Sequence, residues 1–569
     1  TRAAAVSFTM KQVAHELQQY GVKFKYLQKD QSSVNLLDSE IKNIQVAATI
    51  FPTLFLLVGA LVINVLLQRL VKQQYNIIGM LKAIGASRTT ILSHYLSYGI
   101  FIGVIGSTTG LGLGLWLQKG LVVLYQGYFQ LPLLKFHLHA VPVIIGMSVS
   151  VLAASLGSTM STLHAVRLSP VQAMHSQIDS HIFSHRFWKV KSWLRAPFYV
   201  KMALRSIFRD MWRSAISVLT VIIGLALLYT AFTMKDSMLS MVDFSITNMN
   251  HFDAAITLAE PVNDSILDSL YKLPGVKDIE TQFALPVTLR SGFFHKEIVV
   301  EGLPRNNRLF TPVDKFNIPI RIPVQGLVLS RTLAKFLHVG IGDRIFMQPL
   351  LGHRESISIT VVGLVTTYLG LPAYANQLWL SHSVDSSLSF NKIFIKFKPG
   401  YSRSKFKHAI LALSNINNIQ YAGTIKQEIV TTVDQFLGGF IFVITLFAAT
   451  IAIASLYNNA MVSISERQRD VATFSVLGLQ NWEIFRIFCV EAIILWFVGI
   501  VIGCPLAYYY SVTLLQSFQT EFFRFPVQIY FSHLIESIVM MLLFFILSAG
   551  MVLRYICKTS WQGLLNVRE

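Results

Sequence analysis

Residues able to do chemistry are sparse in this chain of 569 residues. It has no Gly-x-x-x-x-Gly-Lys-Ser/Thr phosphate loop, no His-Glu-x-x-His, no Gly-x-Ser-x-Gly and no Cys-x-x-Cys. Phosphate-loop nucleotide binding, zinc hydrolysis and serine-nucleophile catalysis therefore lack their frames. Cys489 and Cys504 lie inside one apolar run and Cys557 at the end of another, so no disulfide framework is written here. His164, His175, His181 and His185 fall in a basic stretch that reads as a solvated loop rather than a metal site. Three polar residues interrupt apolar runs: Asn64, Glu491 and Glu536. A carboxylate in such a run marks either ion coupling or a buried pair. One near each end of the helices does not make a proton relay, and Glu491 is read as pairing with a nearby cation or backbone group. No catalytic residue, cofactor site or metal site is assigned.

One polar turn, by contrast, is written twice. The first copy is Gln73-Gln-Tyr-Asn-Ile-Ile-Gly-Met-Leu-Lys82-Ala-Ile-Gly85-Ala-Ser-Arg88, and the second is Glu466-Arg-Gln-Arg-Asp470-Val-Ala-Thr-Phe-Ser475-Val-Leu-Gly478-Leu-Gln-Asn481. Gly85 and Gly478 are 393 positions apart, and the same offset lays Ile84 on Leu477, Ile91 on Ile484, Gly106 on Gly499 and Gly110 on Gly503. Each copy follows one long apolar run and precedes another. A repeat of this kind means a duplicated structural unit. Gly103, Gly106, Gly110, Gly112, Gly114, Gly499 and Gly503 are expected to let helices approach closely.

The elements that must position these turns are membrane helices. With 53% hydrophobic and 14% charged residues, the chain is far more apolar than a soluble protein. Runs long enough to cross a bilayer, about 20 residues, occur at 48–68, 93–118, 139–163, 214–234, 436–460, 484–510 and 531–556. The net charge of +19 clusters beside these runs, as in cytoplasmic loops, which disfavours a nucleic-acid partner. Arg167, Arg186, Lys189, Lys191, Arg195, Lys201, Arg205, Arg209 and Arg213 face only Asp179 and Asp210 between the third and fourth runs. That segment, both repeated turns and the C-terminus are therefore placed in the cytoplasm. Within it, 196–213 is a basic amphipathic stretch. Lys201, Arg205, Arg209, Trp212 and Arg213 are expected to anchor it in the interface against anionic lipid.

The organisation follows. Residues 1–47 end a first extracytoplasmic domain and form a stalk, with a helix at Val6–Tyr20, a strand at Val22–Leu27 and a stalk helix at Leu36–Ala47. Residues 48–166 hold three spans of a first module and 167–213 a basic linker. Residues 214–234 open the second module and 235–433 form an extracytoplasmic domain whose end, Thr424–Phe436, is a second stalk. Residues 434–569 hold three more spans and a tail. The pattern of one span, outer domain and three spans implies an eighth span ahead of Thr1. The expected fold is an α-helical polytopic membrane protein of two parallel repeats with an α+β outer domain. Strands are expected at Lys296–Val300, Gly326–Ser330, Arg344–Met347, Ser356–Val362 and Lys392–Phe397, and helices at Asp264–Leu273 and Arg331–Leu337, giving a small sheet.

Ile78-Gly-Met-Leu-Lys-Ala-Ile-Gly-Ala-Ser87, closed by Arg167-Leu-Ser-Pro-Val-Gln-Ala-Met174, resembles the FtsX-like permease domain of ABC-transporter membrane subunits of the MacB and LolC/LolE type. Asp470–Leu479 with Lys558–Leu565 resembles it less closely. Met202–Ser214 is similar to the sequence ahead of the first span of such modules, and Gly326–Met347 to their periplasmic core domain. The resemblance implies a bacterial inner-membrane permease subunit without catalytic activity, driven by a separate ATPase in two copies. The ATPases would dock on Ile78, Gly79, Lys82, Ala83, Gly85, Ala86 and Arg88 and on Asp470, Val471, Ser475, Leu477 and Gly478. Such a subunit moves its outer domains by mechanotransmission, for a lipophilic compound, lipoprotein or peptide, and works with membrane lipid and an outer adaptor or substrate protein. The family commonly has an acidic residue ahead of the docking helix. Asp470 supplies it in one copy, Ile77 stands there in the other, and Ser475 stands opposite Lys82, so the two faces are unequal. A transmembrane regulator of cell-envelope enzymes is the alternative, and the scarcity of buried charge disfavours ion-coupled transport.

Overall fold

The computed structural model describes residues 13, 32–129, 137–171 except 168, 197–384 except 263–264, 274 and 351–354, then 390–401, 406, 410, 416–520, 524–526 and 530–559. The expected helix at Val6–Tyr20 and strand at Val22–Leu27 lie outside the described residues, as do three of the four histidines in the basic linker and the C-terminal tail. The chain divides into two compact units.

The helical unit comprises Ala47–Met234, Phe436–Leu514 and Ile529–Glu569. Its helices are α1 (Ser32–Gln73), α2 (Tyr75–Ala83), α3 (Arg88–Phe129), α4 (Ala140–Arg167), α5 (Phe198–Arg209), α6 (Met211–Asp243), α10 (Ala422–Glu466), α11 (Gln468–Val476), α12 (Asn481–Ser517) and α13 (Phe531–Lys558). Among the described residues, seven are long and apolar enough to cross a membrane, and they coincide with the seven expected runs. The segments Leu36–Ala47 and Thr424–Phe436, expected as stalks, are helical and lie within α1 and α10. α1 and α10 meet through the stacked rings of Phe55 and Phe447, 4.5 Å apart.

Small residues set the other packings. A Cβ on Gly99 would come within 2.5 Å of the Ser158 Cβ, and one on Gly103 within 3.0 Å of the Val151 Cα, which fixes α3 against α4. In the second repeat Gly499 and Gly503 receive Val221 and Leu225 of α6. Gly106, Gly110, Gly112 and Gly114 depart from the expectation, because nothing described lies within 4 Å of where their Cβ atoms would be. The face of α3 equivalent to the α12 face that seats α6 has no helix against it among the described residues.

The α+β unit holds β1 (Ala254–Val262), α7 (Ser265–Tyr271), β2 (Val276–Ser291), β3 (Phe294–Leu303), β4 (Leu327–Ser330), α8 (Arg331–Leu337), β5 (Arg344–Pro349), β6 (Ile357–Val365), β7 (Ala373–Asn376), α9 (Gln377–Val384), β8 (Phe390–Phe397) and β9 (Ile416–Tyr421). The sheet is larger than the small one expected: among the described residues it has nine strands in the order β3-β7-β4-β6-β5-β2-β8-β1-β9. The 16-residue β2 joins its two halves. Val276–Gln282 pairs with β8, while Phe283–Ser291 pairs with β3 and partly with β5. Charged residues early in β2 and Pro286 in its middle obscure the alternation that would announce a strand. The tertiary signal is clear, because Leu285, Val287 and Leu289 are wholly buried in the core under α8 and α9. A second core forms around Ile256, Ile393, Ile395 and Phe406.

Candidate functional site

The two repeated turns share one backbone, hydrogen bond for hydrogen bond. In the first, the amides of Gln74, Ile78, Ile84, Gly85 and Ala86 donate to the carbonyls of Val71, Gln74, Met80, Lys82 and Leu81 at 2.9–3.1 Å. In the second, the amides of Arg467, Val471, Leu477, Gly478 and Leu479 donate to Ile464, Arg467, Thr473, Ser475 and Phe474 at 2.9–3.2 Å. Each of the ten donor and acceptor atoms of the first turn has its counterpart 393 positions on in the second. The closing glycines have φ of +101° at Gly85 and +90° at Gly478, the left-handed conformation that glycine adopts without strain. The motif is a short helix ended by a left-handed cap, followed at once by the next long helix.

Apolar seats hold both turns. Ile78 is buried with Val71, Ile91, Tyr95 and Val166. Val471 is buried with Ile464, Ile484, Phe488, Val552 and Ile556. Burial of one face leaves the other exposed. Ile84 is 85% exposed and its counterpart Leu477 71%, with Ile77, Met80, Leu81 and Val476 exposed beside them. Gly79 is buried, whereas Ala83, Gly85 and Arg88 are exposed. In the second turn Asp470 and Gly478 are exposed and Ser475 is half-buried. Gln73 Nε2 donates to Ser465 Oγ at 3.0 Å, so the helix ends leading into the two turns touch.

Lys82 sits differently from a surface cation. Its ammonium donates to the Val166 carbonyl at 2.8 Å, tying the first turn to the end of α4. Burial pushes its pKa below the usual lysine value, and Arg88 adds to the shift.

Behind the second turn lies a charge cluster. Glu491, 2% exposed, receives Arg213 Nη2 at 3.1 Å on one oxygen and Ser463 Oγ at 3.1 Å on the other. Arg467 Nη2 stands 3.8 Å from the second oxygen. Arg213 and Arg467 are 6% and 5% exposed. Arg213 also reaches Ser206 of α5 at 3.4 Å and Asp210 at 4.0 Å. Burial pushes the Arg467 guanidinium below its ordinary pKa, while Glu491 opposes the shift. The cluster pins the residue that starts α11 to α12, α10 and the α5–α6 corner. α5 itself packs on Phe474 of α11 through Phe198, and on the start of α12 through Tyr199 under Arg486 at 4.9 Å. Of the residues expected to face lipid, Arg205, Arg209 and Trp212 are exposed and Lys201 is half-buried, whereas Arg213 is turned inward to Glu491. Glu491 in an apolar run was the legible sign that a cation must approach, but which cations do so was not legible.

Among the described residues, no group of three or more His, Cys, Asp or Glu is placed to hold a metal ion.

Residues 49–170 and 442–561 each match the FtsX-like permease C-terminal family, and residues 214–413 match the MacB-like periplasmic core domain. No curated protein is significantly similar to the chain in sequence. Among solved structures, the periplasmic region of MacB from Actinobacillus actinomycetemcomitans is 14% identical, with 33% of this chain and 97% of that one covered and a TM-score of 0.21. The extracellular domain of the noncanonic ABC-type transporter YknZ from Gram-positive bacteria is also 14% identical, covering 28% of this chain and 87% of that one at a TM-score of 0.19. With two FtsX-like domains around one MacB-like periplasmic core domain, and seven helices of membrane-crossing length among the described residues, the chain is a multi-pass membrane protein of the FtsX-like permease family of ABC transporters.

Proposed function

We propose that this chain is the membrane subunit of an ABC transporter that hydrolyses no ATP itself and takes one ATPase on each repeated turn. The observation that carries the reading is the equivalence of the turns: the same capped backbone, the same buried seat and an apolar tip left exposed in each. A short rigid helix with a bare tip suits a cleft on a partner, and two equivalent tips suit two copies of it. ATP-driven movement of the turns would pass along α1, α6 and α10, which continue as helix beyond the apolar spans, to the extracytoplasmic domains. The substrate would be a lipophilic compound, lipoprotein or peptide exported or extracted at the outer face of the inner membrane, with an adaptor or substrate protein there. The C-terminus would lie in the cytoplasm, and Lys201, Arg205, Arg209 and Trp212 would meet anionic headgroups.

The test is copurification of the full-length protein in mild detergent, with mass spectrometry and an ATPase assay. Two double variants accompany it: Gly85→Arg with Gly478→Arg, which strains the caps, and Ile84→Asp with Leu477→Asp, which alters only exposed tips. A phosphate-loop ATPase that accompanies the wild type and is lost from the tip variant supports docking at the turns. An ATPase retained by both variants moves the docking site elsewhere. If no ATPase accompanies the wild type, the reading fails and a regulator of cell-envelope enzymes takes its place.

A further inference from the structure

The α+β unit also includes Leu515–Gln528, a segment that neither stalk helix supplies. Arg524 belongs to the connection between α12 and α13, and it wraps the β6–β7 loop with three hydrogen bonds. Its amide donates to the Tyr368 carbonyl at 2.9 Å, Nη1 to the Thr367 carbonyl at 2.6 Å and Nη2 to the Gly370 carbonyl at 3.0 Å. The next two residues, Phe525 and Pro526, are buried, and so is Thr367. A guanidinium is the side chain suited to this task, because its planar fork presents several donors at fixed angles and stays charged.

The loop is also held from a second direction. The Tyr368 ring meets Phe244 edge-on at 5.1 Å, and Phe244 opens the π-helical turn Phe244–Asn248 at the end of α6. That end is bound to the start of α10, since Lys426 Nζ lies 2.6 Å from Asp243 and donates to Thr247 at 2.8 Å, and Lys235 lies 3.6 Å from Asp434. Beyond the loop the chain enters β7, whose four residues are all buried between β3 and β4. A displacement of the loop cannot be absorbed by a loose strand and must be carried into the sheet.

We propose that Arg524 is a positioning residue that makes the α12–α13 connection a third mechanical link into the extracytoplasmic domain, with the β6–β7 loop as the point where it meets the α6 stalk. On the permease reading, movement of α12 and α13 is delivered to β7 through this arginine, independently of the stalk helices' own continuity with the sheet.

The test is hydrogen–deuterium exchange on the full-length protein in lipid nanodiscs, as wild type, Arg524→Ala and Arg524→Lys. The first arm uses the chain without nucleotide. Arg524→Ala should speed exchange of amides 366–371 by about tenfold, with Arg524→Lys intermediate and β5 unchanged. Equal exchange in wild type and alanine variant would overturn the clamp. The second arm uses the complex with its copurified ATPase, with and without ATP and vanadate. In the wild type nucleotide should change protection at 366–376. In Arg524→Ala that response should disappear there and persist at 235–248 and at the repeated turns, with the basal ATPase rate retained. A response at 366–376 that survives in Arg524→Ala, or is lost together with that of the turns, would show that the arginine only staples a loop. Absence of any ATPase would fell the permease reading while the first arm still decided the clamp.

Discussion

The first and second repeated turns have one backbone and two ways of being held from behind. At the residue that begins the short helix, the first copy has Gln74, whose side-chain oxygen accepts from the Tyr95 hydroxyl at 2.6 Å. The second has Arg467 at the same place, facing Glu491 in a buried cluster that recruits Arg213 and Ser463. Tyr98, partly exposed, stands where the second copy has Glu491. A neutral hydrogen bond has been exchanged for an ionic one while the main-chain geometry has not moved. The comparison teaches that the shape of the turn is fixed by its glycine and its apolar seat. The polar support is free to diverge, and it sets how strongly each turn is bolted to its neighbours. The second turn is also joined to α5 and to the start of α6.

The largest break in this comparison should come from Glu491→Ala. Removing the carboxylate that two buried arginines face costs about 3–5 kcal/mol, whereas Tyr98→Ala at the equivalent site should cost about 1 kcal/mol or less. Thermal unfolding of the purified protein, with exchange rates of residues 467–491 against 74–98, checks it, and equal losses would show that the cluster holds nothing the first turn lacks. Next come the seats. Ile78→Ala should cost about 2–4 kcal/mol and Val471→Ala about 2 kcal/mol. Each should loosen its own turn alone, as local exchange would report. Tyr95→Phe removes the donor to Gln74 and should cost about 1 kcal/mol, confined to the first turn.

The smallest effect is a pH dependence carried by Lys82, whose counterpart is the non-ionising Ser475. Its folded pKa lies below the unfolded value, so the unfolded chain binds more protons in between. The penalty is therefore fully present below the folded pKa and relieved as pH rises toward the ordinary lysine value. Measured as thermal stability, the wild type should gain on Lys82→Gln across that alkaline window. A wild type that instead loses stability relative to Lys82→Gln as pH rises would reverse the assignment.

Much of the membrane architecture was legible in the sequence because it is local. A run of apolar residues is a helix that must cross wherever it is put, and Leu36–Ala47 and Thr424–Phe436 continue such helices. Strands from Lys296 to Phe397 were legible where alternation was clean. β2 was not, since Pro286 and the charges at its start hide an assignment that burial of Leu285, Val287 and Leu289 decides. Close packing was legible at Gly103, Gly499 and Gly503 and misjudged at Gly106 and Gly110. A glycine permits a neighbour but does not supply one.

By itself the sequence determined the duplication, the seven apolar helices and the two capped turns, because a glycine at positive φ and a 3.6-residue apolar period act through neighbouring residues along the chain. Only the tertiary structure decided that Arg213 turns from lipid to Glu491, that Arg467 joins it, and that Arg524 reaches three carbonyls more than 150 positions away. Those choices depend on burial and on the partners that helix and sheet packing bring within reach, and a buried charge accepts only the partner that packing delivers.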